Sequence, residues 1–153
     1  MSVISELEAK KRTYQTKISN AQGKIKSCEK SHESLSKFKT AVERSQGDFH
    51  TVNSSKTNIL SDVEDVKTNS IIAQRYHSGM KNIFSGIGSK IIAVVYTVLL
   101  GSISVKLRSY SNSITDYDDD IEYYQRKIRE IDRQIEDEKK AEELAKQMAG
   151  GSV

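Results

Sequence analysis

Apolar and aromatic residues return at alternating steps of three and four along the second half of the chain. A helix places residues at these spacings on one face, so an average period of about 3.5 draws the narrow stripe of a coiled coil. At about 1.5 Å per residue the stripe is roughly 60 Å long. Such a stripe needs another helix against it, and we interpret the other segments as its partners. It comprises Ala93, Tyr96, Leu100, Ile103, Leu107, Tyr110, Ile114, Tyr117, Ile121, Tyr124, Ile128, Ile131 and Ile135.

The first segment carries the same repeat, from Ile4 through Leu35 and less regularly to Val42. We therefore predict a helix over residues 5–44, similar in reach to the C-terminal stripe. Small stripe residues such as Ala21 and Cys28 complement the tyrosines of the other stripe in size. The two stripes are expected to pair.

Between these two segments, the sequence predicts two turns. Residues 45–48 offer Gly47 as a helix-ending glycine, and residues 76–79 offer Gly79 in the same role. The expected helices are 5–44, 49–76 and 80–148, and the chain has no proline to interrupt them. We predict an all-α fold in one domain, 1–153: an elongated antiparallel helical hairpin or bundle with long coiled-coil helices at both termini.

Charge is distributed unevenly over this predicted fold. Residues 1–44 hold ten Lys or Arg and five Asp or Glu, whereas residues 111–153 hold seven and twelve. Opposite charges at the two ends favour antiparallel pairing of the terminal helices. The net charge of +3 is too small to indicate nucleic-acid binding. With one cysteine and no apolar signal segment at the start, we expect a cytoplasmic protein without a disulfide.

Residues that carry chemistry are few, and none forms a recognisable site. Cys28 and His32 share a helix face, but two ligands do not make a zinc site. The acidic run 116–120 lacks the spacing of a calcium loop, and the stripe continues through it. No nucleotide, hydrolase or metalloprotease motif is present. We expect no enzyme activity, no cofactor and no metal.

The run from Ile91 to Leu100 is apolar on all sides. Such a run is the most enclosed part of the bundle, a partner-facing segment, or a membrane element. Lys90 and Lys106 bound the apolar stretch at fifteen residues, whereas a membrane span needs about 20. We favour a core or partner-facing segment, with membrane insertion of residues 91–105 as the alternative.

The layout resembles that of the YwqH-like proteins. These are small helical relatives of the WXG-type proteins, encoded beside LXG-domain toxins of the type VII secretion system of Gram-positive bacteria. The likeness rests on His77-Ser78-Gly79 followed by Phe84, where that family shows W-x-G and a downstream aromatic; this chain has no tryptophan. It also lacks the late Tyr-x-x-x-Asp/Glu export signal of WXG-type proteins, which implies that a partner or the cargo carries the signal.

The resemblance implies an adaptor or chaperone that binds the helical N-terminal domain of an LXG toxin, or a second small WXG-like protein, and is exported with its cargo or remains behind. Two alternatives stay open: a holin-like or pore-associated membrane protein, and a self-assembling coiled coil. Excess apolar surface marks an interface. The expected partner-binding residues are Tyr76, His77, Gly79, Phe84, Ile91, Val94, Val95, Val98, Leu99, Ile103, Leu107 and Ile114.

Overall fold

The computed structural model describes the backbone of residues 2–66 and 71–151 and the side chains of residues 2–59 and 74–151. Three helices account for almost all of this part of the chain: α1 (Val3–Val66), α2 (Ile71–Ser85) and α3 (Ile87–Gly150). The residues described contain no strand. The predicted all-α fold with long helices towards both termini is confirmed.

Helix α1 continues through Gly47, so the turn predicted at residues 45–48 is wrong, as is the end of the first helix at residue 44. The glycine has helical backbone angles and open space around its Cα. A mid-helix glycine costs about 1 kcal/mol. Contacts on both sides of it outweigh that cost, because Ser45 and Phe49 each contact Tyr96 of α3.

The second predicted turn, at residues 76–79, is also wrong, because these residues lie inside α2. The chain instead bends at Gly86, between α2 and α3. A Cβ at this position would collide with the carbonyl oxygen of Asn82, so only glycine fits the bend. The backbone amide of Lys90 donates to the carbonyl of Gly86 (3.2 Å), which begins α3. Residues 67–70 of the predicted helix 49–76 lie outside the described residues.

The chain divides into two compact units, which we call the terminal unit (Met1–Ser31 with Ser109–Val153) and the central unit (His32–Arg108). Helices α1 and α3 contribute to both. The prediction of one domain over 1–153 stays a prediction.

In the terminal unit, the two helices run antiparallel with the predicted stripes facing each other. Leu7 of α1 packs with Ile131 and Ile135 of α3 in a small buried core. Next to this core, Lys11 Nζ lies 2.6 Å from a carboxylate oxygen of Asp132. The pairing of the two stripes in this unit follows the heptad repeat.

The lysines of α1 extend this contact along the tyrosines of α3. The ammonium group of Lys17 lies 5.5 Å from the ring centre of Tyr124, and that of Lys24 lies 5.6 Å from the ring centre of Tyr117. Cation–π contacts of this kind are worth about 0.5–1 kcal/mol at exposed sites. The lysine stems also cover apolar ring surface.

In the central unit, α1 and α3 again run antiparallel. The rings of Phe49 and Tyr96 are 5.9 Å apart, and the hydroxyls of Ser45 and Tyr96 are 2.6 Å apart. Further along, the amide of Asn53 donates to Ser89 Oγ at 3.0 Å. These contacts turn one face of α3 towards α1.

Candidate functional site

The opposite face of α3 in the central unit is apolar and exposed. A contiguous exposed apolar surface of this kind marks an interaction site in a folded protein. Its seven side chains cover roughly 160° of the helix circumference over about 18 Å. We call this surface the outer face of α3; it consists of Ile87, Ile91, Ile92, Val94, Val95, Val98 and Leu99, all exposed.

The exposure of this face corrects the interpretation of residues 91–100 as an enclosed core. Only the side towards α1 is covered: Tyr96 contacts Phe49, and Ile103 is 4% exposed. Val98, on the outer face, is 62% exposed. The run has apolar residues on two faces of α3, and α1 covers only one of these faces.

The outer face has a heptad pattern of its own. Ile87, Ile91, Val94 and Val98 follow one another at steps of four, three and four, and Val105 falls one heptad after Val98. The intermediate position holds Gly101. Alternating steps of three and four are typical of a helix face that packs against another helix. Helix α3 therefore carries two such stripes, and α1 covers one.

An apolar groove opens beside the start of the outer face, where α1, α2 and α3 of the central unit meet. Its volume is about 350 Å³. In the wall of the groove, the side-chain amide of Asn53 donates a hydrogen bond to Ser89 Oγ, so these two polar groups are partners of each other. Shape and lining suit a bulky apolar side chain. The lining residues are Phe49, Val52, Asn53, Ile83, Phe84, Gly88, Ser89 and Ile92.

The α2 and α3 residues around this surface carry charges of one sign. Residues 74–108 contain five Lys or Arg and no Asp or Glu. Arg75, Lys81 and Lys90 are exposed and have no ion-pair partner among the side chains of residues 2–59 and 74–151. The surface therefore combines an apolar face with cationic surroundings.

The structure places the predicted partner-binding residues in three groups. Those with exposed side chains or an exposed backbone are Tyr76, Gly79, Ile91, Val94, Val95, Val98 and Leu99. Phe84, Leu107 and Ile114 are half-buried, and Ile114 belongs to the terminal unit. His77 and Ile103 are each 4% exposed, so their side chains are not available at the surface.

Five apolar residues of the outer face and the groove are not among the partner-binding residues expected from the sequence: Phe49, Val52, Ile83, Ile87 and Ile92. Ile87 and Ile83 precede Ile91 at helical spacing, a signal obscured by the glycines between them. Phe49 and Val52 come from α1 and could be found only by knowing that α1 continues past Gly47.

In the described part of the chain, the titratable groups with resolved pKa shifts lie on helix surfaces. Among the described residues, no group of three His, Cys, Asp or Glu side chains is placed to hold a metal ion. The resolved pKa shifts belong to surface pairs: a hydrogen bond from Lys140 lowers the pKa of Glu136, and one to Glu130 raises the pKa of Lys127. Such shifts accompany ordinary helix-surface ion pairs.

One helical stretch, Gln74–Gly150 counted through the bend at Gly86, contains a segment apolar enough to cross a membrane by length and composition alone. None of that segment is buried within the protein. The outer face of α3 lies within this helical stretch.

No protein-family model, curated protein or solved structure matches this chain.

Proposed function

We propose that this chain is a non-catalytic helical binding protein that receives a helix of another protein along the outer face of α3. The observation that carries the proposal is the second heptad stripe, Ile87-Ile91-Val94-Val98, which is exposed. Burying an apolar helix face of this length in a groove or against a helix is a recurrent mode of protein recognition.

The groove beside the stripe supports a helical ligand over an irregular one. Ile92 belongs both to the outer face and to the lining of the groove, so the groove opens at the edge of the surface that a docked helix would cover. One bulky side chain at helical spacing would then fill the groove.

The resemblance to the YwqH-like proteins supplies the identity of the partner in this proposal. We propose a cytoplasmic adaptor or chaperone that shields the helical N-terminal domain of an LXG-type toxin, or pairs with a second small WXG-like protein, before type VII secretion. Covering the apolar surface of cargo and adaptor together would keep both soluble until export.

Co-expression with the LXG-type product of a neighbouring gene tests this function. The wild-type chain is expected to co-purify with that product in a defined ratio, and the double variant Val94→Asn/Val98→Asn is expected to lose it. A matched control, Gln125→Asn/Gln134→Asn, changes two exposed positions of α3 in the terminal unit and should retain the complex. Failure of the wild type to retain any co-expressed helical partner would refute the proposal.

A second candidate function is membrane association through residues 91–105, favoured by the exposed apolar segment of α3. Against insertion of the whole central unit, α1 carries Arg44, Asp48 and Lys56 in the same unit, and transfer of such groups into lipid is costly. Carbonate extraction separates the two functions, because an adaptor is released from membranes and an inserted helix is retained.

A further inference from the structure

The charge surrounding the outer face indicates more about its partner than the apolar stripe alone. Between Asp65 and Asp116 the chain contains no acidic residue, and the exposed cations Arg75, Lys81 and Lys90 fall in that interval. The terminal unit differs, because its α3 segment is rich in Asp and Glu. The acid-free part of α3 therefore coincides with the part that carries the exposed apolar face.

Lys90 and Lys81 lie where they would flank a docked helix, and Arg75 adds a positive charge towards the start of α2. Lys90 directly precedes Ile91 in α3. It therefore lies beside the stripe Ile87-Ile91-Val94-Val98, at a shoulder position equivalent to the e and g positions of a coiled coil. Lys81 lies three residues before Phe84, which lines the groove, so the two share a face of α2. Shoulder charges in coiled coils select partners by charge while the stripe supplies the burial.

From this placement we infer that the helix received by the outer face is acidic: it has Ile, Leu or Val at heptad spacing and Asp or Glu on both shoulders. The inference rests on the proposed function and adds the chemical class of the partner. The partner's carboxylates would pair with Lys90, Lys81 and Arg75, which have no acidic partner within the described residues.

Charge also decides against a second copy of this chain on the same face. Two outer faces packed together would bring Lys81 and Lys90 of one copy near those of the other, with no acid in residues 74–108 to compensate. Like charges at facing shoulder positions disfavour pairing. An acidic helix would place carboxylates near these lysines instead of further lysines. The heptad spacing of the outer face also favours a helix over a lipid surface, because binding to lipid does not require apolar residues at a 3.5-residue period.

The test uses three synthetic helical peptides of about four heptads each, labelled for fluorescence anisotropy with the full chain. The acidic peptide has Ile and Leu in its stripe and Glu on both shoulders, the basic peptide replaces those Glu residues with Lys, and the stripe-less peptide keeps Glu but has Ser in the stripe. The expected result is binding of the acidic peptide about tenfold tighter than the basic one at low salt, the combined size of three exposed ion pairs.

A charge-reversal variant, Arg75→Glu/Lys81→Glu/Lys90→Glu, makes the test independent of any particular peptide. All three positions are exposed, and circular dichroism checks that the variant remains helical. The variant should invert the preference, so that the basic peptide binds tighter than the acidic one. The stripe-less peptide should bind neither protein.

The outcomes separate this inference from the function on which it rests. Equal binding of both stripe-bearing peptides, without inversion in the charge variant, would overturn the acidic partner and leave helix docking in place. Binding of no peptide, together with binding to vesicles of phosphatidylglycerol and phosphatidylcholine, would overturn both in favour of lipid. Self-association abolished by Val94→Asn/Val98→Asn would overturn both in favour of a second copy.

Discussion

The terminal and central units both contain α1 packed against α3, yet they differ in the face of α3 that points away from α1. In both, α1 and α3 run antiparallel and bury a seam of apolar residues at heptad spacing. In the terminal unit the back of α3 is charged, with Asp118, Asp119 and Glu122 among its exposed residues. In the central unit, the back of α3 carries Ile91, Val94 and Val98. The comparison shows that one heptad stripe accounts for the pairing, and a second stripe on the same helix is available for binding.

The two regions should respond differently to truncation of an apolar side chain. Ile131 is buried in the terminal core against Leu7 and Ile135, so Ile131→Ala is expected to lower the free energy of unfolding by about 3 kcal/mol. Val98 is exposed, and Val98→Ala should change it by less than about 0.5 kcal/mol. Urea denaturation followed by circular dichroism measures both.

This pair of variants also tests whether the outer face is unoccupied in the isolated chain. A loss at Val98→Ala comparable to that at Ile131→Ala would mean that Val98 is buried in the free protein, and the contrast between the units would not hold.

The bend at Gly86 positions the groove beside the outer face, and it should be sensitive to a single methyl group. Gly86→Ala is expected to cost about 2 kcal/mol, because the Cβ would collide with the Asn82 carbonyl. Gly79→Ala, at an open position inside α2, should be neutral or stabilise by up to about 1 kcal/mol. Thermal unfolding of the two variants compares them; equal melting temperatures would contradict the bend.

The ion pair that joins α1 to α3 in the terminal unit should contribute little to its stability. Lys11 and Asp132 bridge α1 and α3 at 2.6 Å, but both side chains are partly exposed. A double-mutant cycle with Lys11→Met and Asp132→Asn is expected to give a coupling of about 0.5 kcal/mol that decreases in high salt. A coupling several times larger would show that this charge pair, and not the apolar seam, holds the terminal helices together.

The smallest expected effect is the pH dependence from the exposed pair Glu136 and Lys140. A hydrogen bond from Lys140 lowers the pKa of Glu136 below its ordinary value. The stabilisation is therefore present above the unfolded pKa of the carboxyl and is lost as the pH falls through the folded pKa. Glu136→Gln should slightly flatten the acid side of the stability profile and leave its slope near neutral pH unchanged. Because Glu136 also raises the pKa of Lys140, the loss of stability as the pH rises through that pKa should become slightly smaller as well. Unfolding measured over an acid-to-neutral pH series checks this; a steeper acid side would contradict it.

The all-α fold and the two stripes could be predicted from the sequence, because the 3-4 spacing from Ala93 to Ile135 and from Ile4 to Leu35 is the period of a helix face. That the two stripes pack against each other in the terminal unit needed the structure, which places Leu7 against Ile131 and Ile135.

The turns could not be predicted. The sequence around Gly47 and Gly79 is typical of helix ends, yet Gly47 stays helical beside long-range contacts such as Phe49 on Tyr96, and Gly79 lies inside α2. The chain bends instead at Gly86, where a Cβ would collide with the Asn82 carbonyl.

The site was only partly predictable for a related reason. An apolar run such as Ile91 to Leu100 shows that both sides of a helix are apolar, but not how many neighbours the fold supplies. The structure shows α1 on one side only. The buried His77 was misplaced because the turn expected around it is a helix.

The most direct test of the central claim is where a bound partner covers this chain. In a Cys28→Ser background, Val98→Cys on the outer face and Gln134→Cys on the terminal unit are each labelled with a maleimide, with and without the LXG-type domain. We expect the domain to slow labelling of the Val98→Cys variant at least about tenfold, as burial of an interface residue requires, and to leave the Gln134→Cys variant unchanged. A complex that leaves Val98→Cys fully reactive, or protects Gln134→Cys alone, would contradict the account.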